Sequence, residues 1–267
     1  MRADQLLVER GLAASRSMAV RLIAGGVRWR ATPQSDAWRD VTKSGQDLPD
    51  GAELALQDGA EARYVSRGGL KLETALQKSG FSVQGLRCLD VGQSTGGFTD
   101  CLLQHGAAQV VGIEVGRDQL NPRLREDTRV LCLEQTNARE LDASAWQDLM
   151  LDREAQGLAT AAAGFDVLVA DLSFISQTLV MPAVSQLLKP GARVLTLVKP
   201  QFELQPAQIG KGGLVKDPAS YAVVETRLRD MAAELNWQLL GWWDSPIRGG
   251  DGNREFLMSA KAGHESN

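Results

Sequence analysis

Leu89-Asp90-Val91-Gly92-Gln93-Ser94-Thr95-Gly96-Gly97-Phe98-Thr99-Asp100 is an apolar run that meets glycines and then a new helical pattern. A strand that ends in an acidic residue, turns through glycines and enters a helix is how an α/β sheet receives a nucleotide-like ligand at its strand ends. Glycine carries no Cβ, so the backbone can approach that ligand closely.

What the loop lacks narrows the ligand. No Lys-Ser/Thr follows the glycines, as a phosphate-cradling P-loop requires, and there is no G-x-G-x-x-G of the dinucleotide type. An acidic residue in the first helical turn would repel a pyrophosphate. With Asp90 beside it, the loop suits a ligand that is zwitterionic at one end and a nucleoside at the other, and S-adenosylmethionine fits. Glu114 ends the next apolar run, Val110-Val111-Gly112-Ile113, about where a carboxylate grips ribose hydroxyls in such sheets.

Outward from this loop, the chain alternates strands and helices. Strands are expected at 87–91, 109–114, 129–133, 166–170 and 193–198, a rhythm that implies a parallel sheet covered on both faces. Residues 151–164 read as a loop or helix tail in a peripheral insertion. Near the C-terminus a helix from Pro218 to Leu235 leads to Gln238-Leu239-Leu240 and to a strand from Arg254 to Ser259, an antiparallel pair at the sheet edge. The expected fold class is α/β, a Rossmann-like seven-stranded sheet with a small N-terminal α+β domain. Residues 1–60 form that domain, 57–66 a linker, and 61–267 the larger one.

At 267 residues the chain has room for both. No apolar run approaches the roughly 18 residues that span a bilayer, and no signal-type segment follows Met1, so the expectation is a cytoplasmic protein without a membrane partner. Cys88, Cys101 and Cys132 have neither disulfide nor zinc spacing, and His105 and His264 are the two histidines, so no metal is expected. Charge is unevenly spread. Residues 1–30 carry six arginines against Asp4 and Glu9, net +4, and the remainder carries -8. A basic head on an acidic body suggests that the head meets phosphates.

In that head, Asp4–Gly11 and Ser15–Ala24 read as helices, Gly25-Gly26 as a turn, and Val27–Arg30 and Glu53–Leu56 as strands. The segment RADQLLVERGLAASRSMAVRLIAGGVRW resembles the small RNA-binding domain shared by a ribosomal small-subunit protein, pseudouridine synthases and bacterial tyrosyl-tRNA synthetases. The resemblance implies that Arg2, Ser15, Arg16 and Arg21 face RNA, positioning it without reading its sequence. Arg67-Gly68-Gly69 reads as a further basic turn. Lys211 and Lys216, in Ile209-Gly210-Lys211-Gly212-Gly213-Leu214-Val215-Lys216, belong to a mobile RNA-facing loop.

Three residues mark strand ends. Asp171 closes Val167-Leu168-Val169-Ala170, Lys199 closes the run ending at Val198, and Glu255 begins the last strand. Lys71 stands in the first turn of a helix after Arg67, where the helix dipole disfavours a cation. These four suit methyl transfer to a ribose hydroxyl, a weak nucleophile that needs a base within hydrogen-bond reach. A lysine at its ordinary pKa of ~10.4 cannot serve, whereas one crowded by a second ammonium and partly desolvated can. Lys199 is assigned as general base, Lys71 as its cationic neighbour on the hydroxyl oxygen, and Asp171 and Glu255 as the groups that orient them.

With YVSRGGLKL, CLDVGQSTGGFTDCLL, VADLSFIS, LVKPQFE and GNREF in view, the chain resembles the TlyA family of bacterial ribosomal RNA 2'-O-methyltransferases, long called hemolysins, whose catalytic domain is similar to the FtsJ type. The resemblance implies a Lys-Asp-Lys-Glu tetrad at Lys71, Asp171, Lys199 and Glu255. It also implies S-adenosylmethionine held by Asp90, Gly92, Gln93, Ser94, Thr95, Gly96, Gly97 and Phe98, with Glu114 on the ribose, Asn137 near the adenine and Asp171 near the methionine end. The substrate implied is a cytidine ribose in ribosomal RNA or a ribosomal subunit. Gln93, Glu114 and Asn121-Pro122 depart from the family pattern. Two other classes compete: an RNA-binding or ribosome-assembly factor without activity, and a membrane-lytic protein.

Overall fold

The structure is a computed structural model that describes residues 1–13, 15–31, 37–56 and 63–263. It divides into two units, Met1–Arg67 and Gly68–Asn267. Residues 63–67 thus group with the first unit. Most of the expected linker, 57–62, lies outside the described residues.

In the first unit, helices α1 (Ala3–Glu9) and α2 (Arg16–Gly26) pack Leu6, Leu7, Ala19 and Leu22 against Val27 of strand β1 (Val27–Arg30). The spacing of these residues gives each helix one apolar face, and their burial drives the packing. Ser15 caps α2 by accepting from the Met18 amide. Strand β1 lies between β2 (Arg39–Asp40) and β3 (Glu53–Leu56), both antiparallel to it. A turn is expected at Gly25-Gly26. Instead α2 runs through Gly26, whose φ of 106° lets the helix pass straight into β1. Strand β2 is two exposed residues, too short to carry a sequence pattern.

In the second unit, helix α3 (Gly68–Ser79) precedes β4 (Arg87–Val91), α4 (Gly97–Gln104), β5 (Gln109–Ile113), α5 (Pro122–Arg125) and β6 (Val130–Leu133). Then come α6 (Ala143–Ala155), β7 (Phe165–Ala170), α7 (Gln177–Val184), β8 (Leu188–Val198), α8 (Pro200–Glu203), α9 (Ser220–Glu234), β9 (Gln238–Asp244) and β10 (Phe256–Lys261). The seven-stranded sheet has the order β6-β5-β4-β7-β8-β10-β9. Its first five strands are parallel, and β10 runs antiparallel to both neighbours. Leu89, Val111, Leu168 and Val194 are sealed from solvent, as expected of strands covered on both faces. Strand order reverses at β4, between β5 and β7, which opens a crevice at the carboxyl ends there.

Several expected boundaries move, each for a local reason. Strand β8 begins five residues early, because Leu188 pairs with Phe165 before a register shift carries the strand to Arg193. Strand β9 extends past Leu240 to Asp244, since Gly241 leaves the space that the Trp243 ring occupies. Strand β10 starts at Phe256, so Glu255 sits just ahead of it. Residues 151–164 are less peripheral than expected. Helix α6 takes up the first five, Trp146 Nε1 donates to the Ala161 carbonyl at 3.1 Å, and Ala161 is buried in the core.

Candidate functional site

The carboxyl ends of β4, β5 and β7 enclose a cavity of about 380 Å³, bordered by Gly92, Ser94, Glu114, Asn137, Asp171 and Phe174. Its size falls within the range of small-molecule sites. A larger, open groove of about 690 Å³ lies between α7 and α9 and touches none of these residues.

One wall of the cavity is the turn after β4. Gly92 has φ +83°, and a Cβ there would stand 2.7 Å from the Asp171 carbonyl oxygen, so only glycine lets the two strand ends lie this close. Glu114 accepts from the Ser94 amide through Oε2 and from the Gly116 amide through Oε1, each at 2.8 Å. Those two bonds fix the carboxylate at the rim with lone pairs left for hydroxyl groups. Asn137 accepts from the Arg139 amide and donates to Glu140 Oε1, which holds the 3-10 turn Ala138–Glu140 beside the cavity.

The remaining residues expected to touch a cofactor build the loop and do not line the cavity. Asp90 is wholly buried and accepts from Thr99 Oγ1 at 2.7 Å. Burial pushes its carboxyl up to about 7, against the pull of the Thr99 bonds. Its Oδ1 has no partner among the described residues. Gln93 folds back beneath the loop and donates to Thr99 Oγ1 at 2.9 Å, in space left by Gly112 on β5. Gly96 begins α4 at φ +92° against Leu120 and Leu124, Gly97 and Phe98 are its buried first residues, and Thr95 is exposed outside the cavity. Asn121-Pro122 is a helix start, with Asn121 capping α5 and Pro122 at its first position.

Beside the cavity the structure brings the four charged residues together as two pairs. Lys71 Nζ donates to Glu255 Oε2 at 2.6 Å, and both residues are buried. Lys199 Nζ lies 2.6 Å from Asp171 Oδ1, off the line of a hydrogen bond, and donates to Ser173 Oγ at 2.8 Å. The pairs act on each other. Burial pushes the Glu255 carboxyl up, Lys71 and then Lys199 pull it down, and Asp171 adds repulsion. The local cost of a cation in the first turn of α3 is offset by Glu255, which arrives from the opposite end of the sequence.

Ser173 and Phe174 also border the cavity, and neither is among the residues expected there. Both follow Asp171 in VADLSFIS, a stretch whose polar Ser and unneeded Phe at a strand end were the available signal. Phe174 is 90% exposed, has φ +64° and lies 5.1 Å, centroid to centroid, from Phe202.

The residues expected to face RNA are differently disposed. Arg2 and Arg16 both bind the buried Asp4, at 2.9 and 3.1 Å, and hold its carboxyl well below the usual range. Their outer faces stay exposed. Ser15 serves as the cap of α2, Arg67 is half-buried, and the side chain of Arg21 lies outside the described residues. Lys211 is exposed, while Lys216 Nζ donates to the Ala207 carbonyl. The loop expected to be mobile is tied down. Ile209 bridges Val215, and Asn253 accepts from the Val215 amide and donates to the Gly213 carbonyl.

Among the described residues no group of three or more His, Cys, Asp or Glu is placed to hold a metal ion, and no helix is long and apolar enough to cross a membrane. The residues around the cavity fit a nucleoside-bearing ligand: a rim carboxylate, an amide and a glycine-lined approach.

The FtsJ-like methyltransferase family matches residues 64–262. The 16S/23S rRNA (cytidine-2'-O)-methyltransferase TlyA of Mycobacterium tuberculosis is 42% identical over 260 residues, 96% of this chain and 88% of that protein. Hemolysin A of Brachyspira hyodysenteriae is 33% identical, covering 96% of this chain and 98% of that one. A solved structure of a hemolysin-named protein from Streptococcus thermophilus is 37% identical, with a TM-score of 0.70 over 98% of this chain and 88% of that one.

Proposed function

The chain belongs to the FtsJ-like methyltransferase family, and on that premise we propose that it methylates the 2'-hydroxyl of a cytidine ribose in ribosomal RNA, with S-adenosylmethionine as donor. The convergence of Lys71, Asp171, Lys199 and Glu255 beside the nucleoside-sized cavity carries this reading. When bound, S-adenosylmethionine supplies a methyl on a sulfonium, an electrophile for in-line displacement. Glu114 and Asn137 would hold its ribose and adenine, and the Gly92 turn would admit the rest.

Lys71 donates to the hydroxyl oxygen, with Glu255 fixing the ammonium in place. Lys199, in its neutral amine form after releasing one proton to solvent, takes the hydroxyl proton at Nζ as the oxygen gains the methyl, and Asp171 with Ser173 aims that nitrogen. Holding two reactants in line supplies much of the acceleration. The arginines of the first unit contact phosphates and position the RNA.

Transfer of labelled methyl to purified small and large ribosomal subunits tests this reading, wild type against Lys199→Ala. The expected result is incorporation by the wild type that is resistant to base hydrolysis at one cytidine and falls at least 100-fold in the variant. Equal background from both proteins would overturn the reading in favour of an RNA-binding factor without turnover.

A further inference from the structure

Glu203 is a buried carboxylate, 3% exposed, that the mechanism above does not use. It lies four residues beyond Lys199 on the segment leaving β8, in α8. Its Oε1 accepts from the Gln177 amide at 2.8 Å, and its Oε2 accepts from Ser176 Oγ. Ser176 and Gln177 stand five and six residues beyond Asp171 on the segment leaving β7. Two loops that leave adjacent parallel strands, one carrying Asp171, Ser173 and Phe174 and the other carrying Lys199, are therefore joined at their far ends by one side chain.

Capping alone does not account for it. Ser176 already caps α7 by accepting from the Thr178 amide. A buried carboxylate costs desolvation, and burial does push Glu203 up. The cap, the helix dipole and the Ser176 hydroxyl stabilise the charge where it sits. Arg227 braces the same spot from α9, donating to the Glu203 carbonyl at 2.7 Å and to Thr178 Oγ1. Gln177 Nε2 closes the frame on the Leu197 carbonyl at 2.9 Å. Between these anchors and the strand ends, the Asp171 loop and the Lys199 loop have little freedom to separate.

We propose that Glu203 is a positioning residue. By tying the loop after β7 to the loop after β8, it sets Lys199 Nζ against Asp171 and Ser173 and so fixes the direction from which the base meets the hydroxyl. This rests on the methyl-transfer reading above for its kinetic consequence but not for its structural one.

Glu203→Ala, Glu203→Gln, Glu203→Asp and Ser176→Ala, made in the full chain, test it through two readouts. In methyl transfer to ribosomal subunits, Glu203→Ala should lower kcat by about 30- to 100-fold with KM for cofactor and RNA within 2-fold, the order expected for a misaligned reacting group. Glu203→Gln, which keeps an acceptor for the Gln177 amide, should recover kcat to within about 5-fold of wild type. In hydrogen exchange, which needs no turnover, the amides of 173–177 and 201–204 should speed up at least 10-fold in Glu203→Ala while those of β4 and β5 stay unchanged. Should Glu203→Ala fail to fold, Glu203→Asp, which shortens the tie and leaves the Ser176 cap of α7 in place, carries the same kcat and exchange expectations at smaller size, and Ser176→Ala, which removes the cap together with one of the two bonds, is read beside it. The proposal is overturned if the variants that fold keep wild-type kcat and exchange at those amides, or if exchange rises uniformly through the sheet. A wild type that transfers no methyl overturns the functional reading alone, since the exchange pattern still decides the tie.

Discussion

Lys71 Nζ and Glu255 Oε2 meet at 2.6 Å although 184 residues separate them, and the pair joins the first helix of the larger unit to the start of its last strand. Removing one partner leaves the other buried and unpaired. Lys71→Ala is therefore expected to destabilise the unit by about 3–5 kcal/mol, whereas the double change Lys71→Met with Glu255→Met recovers most of that stability. Methyl transfer should be lost in both. Thermal unfolding and labelled-methyl incorporation on the same preparations separate the two effects, and an active double variant would remove the pair from the mechanism.

Glu255 also predicts a pH dependence. Burial raises its carboxyl above the ordinary value, so as pH falls it takes up a proton before an exposed glutamate would and releases its hold on Lys71. The acid limb of kcat should thus lie above the ~4.3 of a free glutamate, and Glu255→Gln should flatten that limb at a lower plateau. A limb unchanged in Glu255→Gln would assign it to another group.

Asp90 gives a stability prediction of opposite character to an ordinary ion-paired carboxylate. Its folded pKa is pushed up to about 7, above the unfolded value, so the folded state binds the extra proton. Stability is then highest below pH ~4, falls as pH rises from about 4 to about 7, and stays lowered above that, by up to about 4 kcal/mol from this group. Asp90→Asn should remove the slope and unfold at higher denaturant than wild type at pH 8, with little difference at pH 4. Denaturation curves at the two pH values measure this directly.

Much of this was legible in the residues because the informative groups are local. The glycine turn after an apolar run, and charged residues directly after such runs, mark Asp171 and Lys199 as strand-end residues from the sequence itself. Which loop residues face the cavity was not legible. Gln93 turns under the loop only because Gly112, on the neighbouring strand, leaves room for it, and Asp90 turns to Thr99 on the following helix. Arg2 and Arg16 read as an RNA-facing charge, yet both reach Asp4, Arg2 from two residues away and Arg16 through a contact set by how the two helices pack. Pairings made in three dimensions leave no period in one.

Gly92→Ala tests the close approach of the β4 turn to β7. A Cβ at φ +83° is strained by roughly 1–2 kcal/mol, and the contact with the Asp171 carbonyl adds to it. Because Asp171 must shift, affinity for the demethylated cofactor product, measured by calorimetry, should fall at least 10-fold alongside kcat. Retention of affinity would mean that the turn has slack the geometry does not show.

Asp4 connects the same logic to the first unit. Its carboxyl is held down by Arg2, by a hydrogen bond first, with Arg16 adding to it, so the stabilisation is present above the unfolded value of ~3.9 and lost as pH falls through the folded one. Asp4→Asn should speed amide exchange in α1 at pH 7. The gap between the two proteins should narrow steadily as the pH falls below ~3.9. Equal exchange at pH 7 would show the clamp to be incidental.

Phe174 separates strain from use. A phenylalanine at φ +64° is held in a conformation its side chain disfavours, and its ring is 90% exposed, so its contact with Phe202 is a small return for the strain. The ring sits at the rim of the cavity beside Ser173 and against Phe202, and under the proposed ribose methylation at Lys199 its flat apolar face would be the surface on which the substrate base stacks. Phe174→Gly relieves the backbone and removes the ring. The variant should unfold no more easily than wild type and bind the demethylated cofactor product equally well. Its KM for ribosomal RNA should rise by about 5- to 150-fold, the worth of one stacked base at about 1–3 kcal/mol. If instead stability drops and KM holds, the ring serves the fold, and the nucleotide must be oriented by Lys71 and Lys199 alone.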